Sequence, residues 1–294
     1  MDLKKLVEEQ SLTNSPVGLG GCRTTNSFFD SCEYDITIFD NKSESNKIIF
    51  YDDNFIKIHH GSLKETKSDI LVKYDGMQII HDESWELLMF LSKIKEKRLA
   101  LYKDCAKNCL FDSLFCCEKT KEGIKNSNVF SSCWQICASY FLADAICLLN
   151  LYRPNPTHML DMIRKFEKNH INEQISIVTQ TLGIERATPP LLERILKSTI
   201  GFSELVENDN NSKIIQKKHD LFVKNSMLSD CYFYLGYINK ENFVKIKDTI
   251  DSQPDLIHIL KVAFDIEADS NLLEQQAKLI QKSCNAILGF ISSA

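Results

Sequence analysis

Two short segments carry residue types that could do chemistry. Leu19-Gly20-Gly21 runs into Cys22-Arg23-Thr24-Thr25, and Glu33-Tyr34-Asp35 opens the apolar segment Ile36-Thr37-Ile38-Phe39. Side chains alternate along a strand, so Glu33 and Asp35 are expected on one face and Tyr34, Ile36 and Ile38 on the other, toward a core. Two carboxylates side by side repel each other unless a cation neutralises them. Mg²⁺ is a hard ion that takes one or two carboxylates together with phosphate oxygens. A Gly-Gly bend has no Cβ atoms, so its N–H groups can approach a phosphate closely. Arg23 and Thr24 could add donors to the same anion. These are the parts of a metal–triphosphate site.

The surrounding pattern supplies elements to position them. Residues 2–10 read as a short amphipathic helix, broken at Asn14-Ser15-Pro16. Val17 to Leu19 reads as a short strand closed by Gly20-Gly21, and Tyr34 to Phe39 as a second. Lys47 to Tyr51 and Phe55 to His60 read as two strands joined by the turn signal Asp52-Asp53-Asn54. Ile70 to Tyr74 and Met77 to His81 repeat that arrangement around Asp75-Gly76, which predicts a second hairpin. Every strong β signal precedes residue 82. Beyond it the apolar spacing is helical, with Ser84 as an N-cap and helices at about 104–119, 127–151, 157–169, 171–182, 189–206, 213–236, 241–251, 254–265 and 270–291. Thr188 before Pro189 is a helix-start signal. The polar run 208–212 reads as a loop. The expectation is therefore an α+β chain: a small mixed sheet over residues 1–83, then a larger all-α unit over 84–294.

Composition sets the outer limits. The 294 residues are 44% hydrophobic and 26% charged, with 10 Gly and 6 Pro, which excludes a disordered or collagen-like chain. A net charge of −5 provides no global basic field for a nucleic-acid backbone. The N-terminus lacks an apolar core, and the run near Ala138 to Leu151 is interrupted by Asp144 and short of the ~20 residues of a membrane span. The expectation is a cytoplasmic protein with no membrane partner. Of 11 cysteines, six lie between Cys105 and Cys137. Cys105 with Cys109, and Cys133 with Cys137, share helical faces and could hold a metal, but burial as small apolar side chains is favoured. Cys133, Cys137, Tyr140, Phe141 and Leu148 fall on one stripe. Adjacent strand residues face opposite sides, so His59 and His60 are not expected to share a ligand. Lys213, Lys217, Lys218 and Lys224 read as a solvated face, Trp134 as core, and Arg153-Pro154-Asn155-Pro156 as an inter-helix turn.

The order Leu19-Gly20-Gly21, then Glu33-x-Asp35 on a strand, resembles the signature of the polymerase-β-like nucleotidyltransferase superfamily. Met77 to Asp82 before a long helix looks like the last strand of such domains, and the helical remainder is similar to the helical domain that follows them. The resemblance implies transfer of a nucleoside monophosphate from an NTP to an acceptor, which could be a small molecule, an RNA end or a protein side chain. It implies Glu33 and Asp35 as the catalytic, Mg²⁺- or Mn²⁺-binding pair. Gly20, Gly21, Arg23 and Thr24 would hold the triphosphate, and a homo-oligomer is compatible with it.

One departure matters. Members of that superfamily normally carry a third acid on the next core strand. Here that strand, Phe55 to His60, offers Lys57 and His59, with Asp69 and Asp82 as the substitutes elsewhere. The glycine usually found after the basic residue is missing, and the first acid is Glu rather than Asp. The alternative expectation is thus a catalytically degenerate relative that binds nucleotide or partner protein without the third carboxylate. A further alternative is a helical interaction protein whose α/β part is only structural.

Overall fold

The computed structural model describes residues 1–44, 46–207, 211–266 and 269–293. The chain divides into two compact units, Met1–Cys105 and Ala106–Ala294. The border falls inside a 28-residue helix, so the first unit takes three α-helices and the start of a fourth along with its sheet.

The first unit opens with α1 (Leu3–Glu9), capped by the Asp2 carboxylate, which accepts from the Lys4 and Lys5 N–H groups. Five strands follow: β1 (Val17–Gly20), β2 (Tyr34–Ile38), β3 (Lys47–Tyr51), β4 (Asn54–His60) and β5 (Gln78–His81). Their order in the sheet is β3-β4-β2-β1-β5. Only β2 and β4 run parallel; the other pairs are antiparallel. The mixed sheet followed by helices makes the chain α+β.

Alternation fixes the two faces. Val17, Leu19, Ile36, Ile38, Ile56 and Ile58 are buried together with Leu6 and Val7 of α1. Gly18, Gly20, Asp35, Thr37, Lys57 and His59 occupy the opposite face, because residues paired across a sheet share a side. The β3–β4 hairpin turns at Asp52 and Asp53, with φ of 48° and 59°. Two positive φ values in a two-residue turn match the right-handed twist of the strands.

The expected strand at Ile70–Tyr74 is instead a helix, α2 (Ser68–Tyr74). Tyr74 is buried in a cluster with Phe39, Leu87 and Ile94, with Ile70 and Leu71 packed against it, and that burial decides a segment compatible with either period. Gly76, at φ +72°, reverses the chain after the helix rather than closing a hairpin, and β5 pairs with β1. Next comes α3 (Glu86–Glu96). Its N-terminal flanking residue is Trp85 in left-handed conformation, not Ser84, and the Asp82 carboxylate accepts from the Leu88 N–H at 2.9 Å. The long helix across the border is α4 (Arg98–Lys125). Arg98 Nε and Tyr102 Oη both donate to Asp75 Oδ2 at 2.8 Å, tying the start of α4 to the end of α2.

The second unit is helical. It contains α5 (Ser131–Leu149), α6 (Met159–Ile163), α7 (Ile175–Leu182), α8 (Pro189–Glu207), α9 (Asn211–Lys224), α10 (Leu228–Lys245), α11 (Ile257–Ala263) and α12 (Ser270–Ser293). The stripe expected on α5 widens to nearly the whole helix, from Ser131 to Leu148, as for a central core helix. By length and composition α5 could cross a membrane; in this fold it is the buried centre of the unit. Trp134 is buried, as are Cys116, Cys117, Cys133 and Cys137. The break expected between residues 236 and 241 lies at 225–227 instead, where Ser226 has φ +56°. Lys218, read as part of a solvated face, is buried with its ammonium 5.5 Å from the Tyr234 ring centre. Residues 208–210 of the expected loop lie outside the described residues, and Asn211 and Ser212 begin α9.

Candidate functional site

The site face of the sheet is built by three adjacent strands. In antiparallel register Gly20 of β1 lies opposite Asp35 of β2, and in parallel register Asp35 lies opposite Lys57 of β4. Thr37 pairs with His59 in the same way. At the Thr37 end the face is closed: a side chain at Gly61 would meet Thr37, Phe39 and the Tyr74 hydroxyl. At the Asp35 end it opens, with the Asp35 side chain 25% exposed and His59 31%.

The bend after β1 is shaped around Asp35. Gly21 has φ +69°, a conformation that favours glycine. A Cβ built there would stand 2.0 Å from Asp35 Oδ2 and 2.9 Å from its Cγ. The missing side chain at residue 21 is therefore the space that holds the Asp35 carboxylate. Gly18 plays the equivalent part for Met77, whose sulfur would lie 2.2 Å from a Cβ at that position.

The chain beyond the bend is braced by its own side chains. Arg23 donates from Nε and Nη2 to the Cys32 carbonyl at 3.0 and 2.8 Å, and from Nη2 to the Asp30 carbonyl at 3.1 Å. Its guanidinium also lies 4.7 and 4.5 Å from the Phe28 and Tyr34 ring centres. Arg23 thus fixes the loop leading to β2. Thr24 Oγ1 donates to the Gly21 carbonyl at 3.0 Å and so fixes the bend. Glu33 precedes the first residue of β2; it is half-buried, with Oε2 shielded from solvent.

Asp35 has a partner that the spacing alone did not indicate. His59 Nε2 lies 3.4 Å from Asp35 Oδ1, and His59 Nδ1 lies 3.0 Å from Asn46 Oδ1. His60, on the other side of its strand, contacts both oxygens of Asp40 at 3.0 Å. The parallel pairing of β2 with β4 is what brings His59 to Asp35, and it could have been found only by choosing that register. Among the described residues, Glu33 does not join Asp35 and His59 in a cluster with all ligand atoms within 4.8 Å. Neither substitute acid fills the third place. Asp82 follows β5 next to the residue paired with Val17, the far end of β1 from Gly20, about 10 Å away at strand rise. Asp69 is exposed in the first turn of α2.

The residues present fit one divalent cation. Asp35 supplies a partly exposed carboxylate beside a glycine bend, with Glu33 two residues away in sequence. They do not fit a two-cation centre, because the position opposite Asp35 on β4 carries the ammonium of Lys57, which repels a second dication.

No family model matches the chain, and no curated protein matches it. Among solved structures it is similar to a nucleotidyltransferase-like protein from Exiguobacterium sibiricum, at 12% identity and a TM-score of 0.30. That likeness covers 76% of this chain and 91% of the other. At such a score it decides nothing about the site, and the functional reading rests on the chain's own residues.

Proposed function

We propose that this chain is a nucleotidyltransferase-type protein that binds a nucleoside triphosphate through one divalent cation at Asp35, with Glu33 at the margin, and does not carry out efficient nucleotidyl transfer. The observation that carries the reading is the β2–β4 register. It sets Lys57, not a carboxylate, opposite Asp35, beside a bend whose glycine makes room for the Asp35 carboxylate. The cation, when bound, would neutralise charge on the phosphates. Lys57 supplies a further positive charge on the same face for an anionic ligand. Gly20 and Gly21 keep the backbone free of side chains where phosphate oxygens would approach. Arg23 acts here by holding the loop.

Calorimetry of ATP and GTP in the presence of Mg²⁺ or Mn²⁺, alongside a pyrophosphate-release assay, tests this. The expected result is saturable binding, lost in Asp35→Asn and weakened in Lys57→Ala and Glu33→Gln, with no pyrophosphate above background. Absence of binding with either cation overturns the proposal. Sustained pyrophosphate release restores the transferase reading and overturns the claim that a second cation cannot be held.

A further inference from the structure

In the first unit, α3 buries one face and leaves the other uncovered. Leu87 and Ile94 are buried. On the opposite side Trp85, Leu88 and Met89 are 67%, 41% and 56% exposed. Residues three and four apart are neighbours on a helix, so these three make one patch that runs on to Ser92. Single exposed apolar residues need no explanation, but a contiguous group rich in Trp and Met has the composition of an interface core. Trp85 also sits in the left-handed region, at φ 64°, an outlier for so bulky a residue. An ordinary helix entrance needs no such conformation, and here it gives the indole no burial.

The charges around the patch are ordered. Asp82, Glu83 and Glu86 lie at its N-terminal end with no base among them, and Lys93, Lys95, Lys97 and Arg98 lie at the other with Glu96 as the one acid. The helix macrodipole favours the same order, but it gives no reason for an uncovered Trp, Leu and Met beside those charges. A surface acidic at one end and basic at the other is complementary to itself when turned end for end.

We infer that this face is a self-association surface whose occupant is α3 of a second copy of the chain, laid antiparallel across a two-fold axis near Ser92. A two-fold interface brings the same patch together from both copies, so the acidic end of each α3 meets the basic end of the other. A parallel pairing would set acid on acid. Ser92 is the small residue that lets the helices approach, and its hydroxyl is already bonded to the Leu88 carbonyl of its own helix at 2.8 Å. Helical hydrogen bonding carries on through Lys97 into α4, from the Lys97 N–H to the Lys93 carbonyl and from the Leu101 N–H to the Lys97 carbonyl. Leu99, 70% exposed, therefore stands as far beyond Ser92 as Trp85 stands before it, and the axis sets each Trp85 against Leu99 of the other copy. The inference is independent of the nucleotide reading.

Sedimentation velocity of the full chain over a concentration series tests this. The expected result is a monomer–dimer equilibrium that weakens as salt is raised. Trp85→Asn should weaken it by about tenfold or more, and asparagine keeps the left-handed backbone accessible. Two charge-reversed chains decide the orientation. Glu83→Lys with Glu86→Lys makes both ends basic, and Lys95→Glu with Lys97→Glu makes both ends acidic. Each alone should be monomeric, and an equal mixture should recover a dimer containing one of each. Recovery in the mixture also shows that both variants are folded. An unmodified chain that stays monomeric at ~100 µM, where a micromolar Kd would leave it mostly paired, overturns the inference. So does a dimer indifferent to Trp85→Asn and to both charge reversals, which places the interface elsewhere.

Discussion

Replacing Gly21 with alanine probes the bend and the acid in one experiment. Its φ of +69° with ψ of −165° lies in a region essentially confined to glycine, which costs an L residue about 1–3 kcal/mol on its own. The added Cβ would also stand 2.0 Å from Asp35 Oδ2 and 3.2 Å from Asp35 Cβ, so rotating the carboxylate away does not relieve the contact fully. Gly76 provides a control for positive φ. It has φ +72° with nothing within 4 Å of a new Cβ, so Gly76→Ala reports the cost of a positive φ without a contact. In urea denaturation Gly76→Ala should lose about 1–2 kcal/mol. Gly21→Ala should lose more, and should bind Mn²⁺ or nucleotide far more weakly, whereas Gly76→Ala should leave binding unchanged. The double change Gly21→Ala, Asp35→Ala should recover much of the excess loss, because it removes the carboxylate and leaves only the Asp35 Cβ at 3.2 Å. If Gly21→Ala is no less stable than Gly76→Ala and binds normally, the bend does not hold the carboxylate and the site has been misread.

Three further outcomes follow from the packing. In the helical unit Lys240 Nζ and Tyr237 Oη both reach Asp144 at 2.8 Å in a buried cluster, so Asp144→Ala strands a buried ammonium and should cost about 3–5 kcal/mol by urea denaturation, with the apolar pair Asp144→Leu, Lys240→Met costing less. Burial lowers the Lys240 pKa, but the Asp144 charge more than offsets this and raises it overall, so the lysine's contribution is present at neutral pH and is lost as pH rises through the raised value. Burial first, and then the Asp75 hydrogen bond, push the Tyr102 phenol up to about 12, so the stability it contributes is fully present below pH 10 and falls between pH 10 and 12. Absorbance at the phenolate band should show one fewer late-titrating tyrosine in Tyr102→Phe. Burial raises the thiols of Cys116, Cys117, Cys133 and Cys137, so the native chain should leave all four unmodified by iodoacetamide, and labelling of Cys133 before unfolding would contradict the packed core.

The strands were legible where local chemistry left one solution. Val17-Gly18-Leu19-Gly20 alternates large and absent side chains, so its two faces follow from the letters alone. Asp52-Asp53 tolerates the positive φ values of a tight hairpin. Ile70 to Tyr74 was not legible, because its apolar residues satisfy a strand period and one helical turn equally well. What selects the helix is distant in sequence: Phe39, Phe90 and Leu87 around Tyr74, and Arg98 and Tyr102 on Asp75. The misplaced break in the helical unit has the opposite cause. Asn239 and Lys240 look like loop residues, yet Asn239 Nδ2 donates to Thr199 Oγ1 and the Ala263 carbonyl, and Lys240 to Asp144. Polar letters inside a helix mark buried partners as readily as they mark an end, and only the partner's position tells the two apart.

The same distinction governs the site. Alternation links Asp35 to Thr37 and, through pairing, to Gly20, Lys57 and His59, because all of them lie within strands. Glu33 lies one residue before β2, where the pleat no longer dictates its direction. Two acids separated by one residue therefore need not form one seat, even when the second is held firmly. The neighbour that does reach Asp35 comes from 24 positions further along the chain, carried by a parallel strand. A two-acid motif read along the sequence thus becomes, across the sheet, an acid with a histidine on one oxygen and a glycine bend on the other. Lys57 stands opposite that acid across the parallel pair, so the face presents a single carboxylate between a lysine and a histidine, and not the acid pair that the spacing suggested.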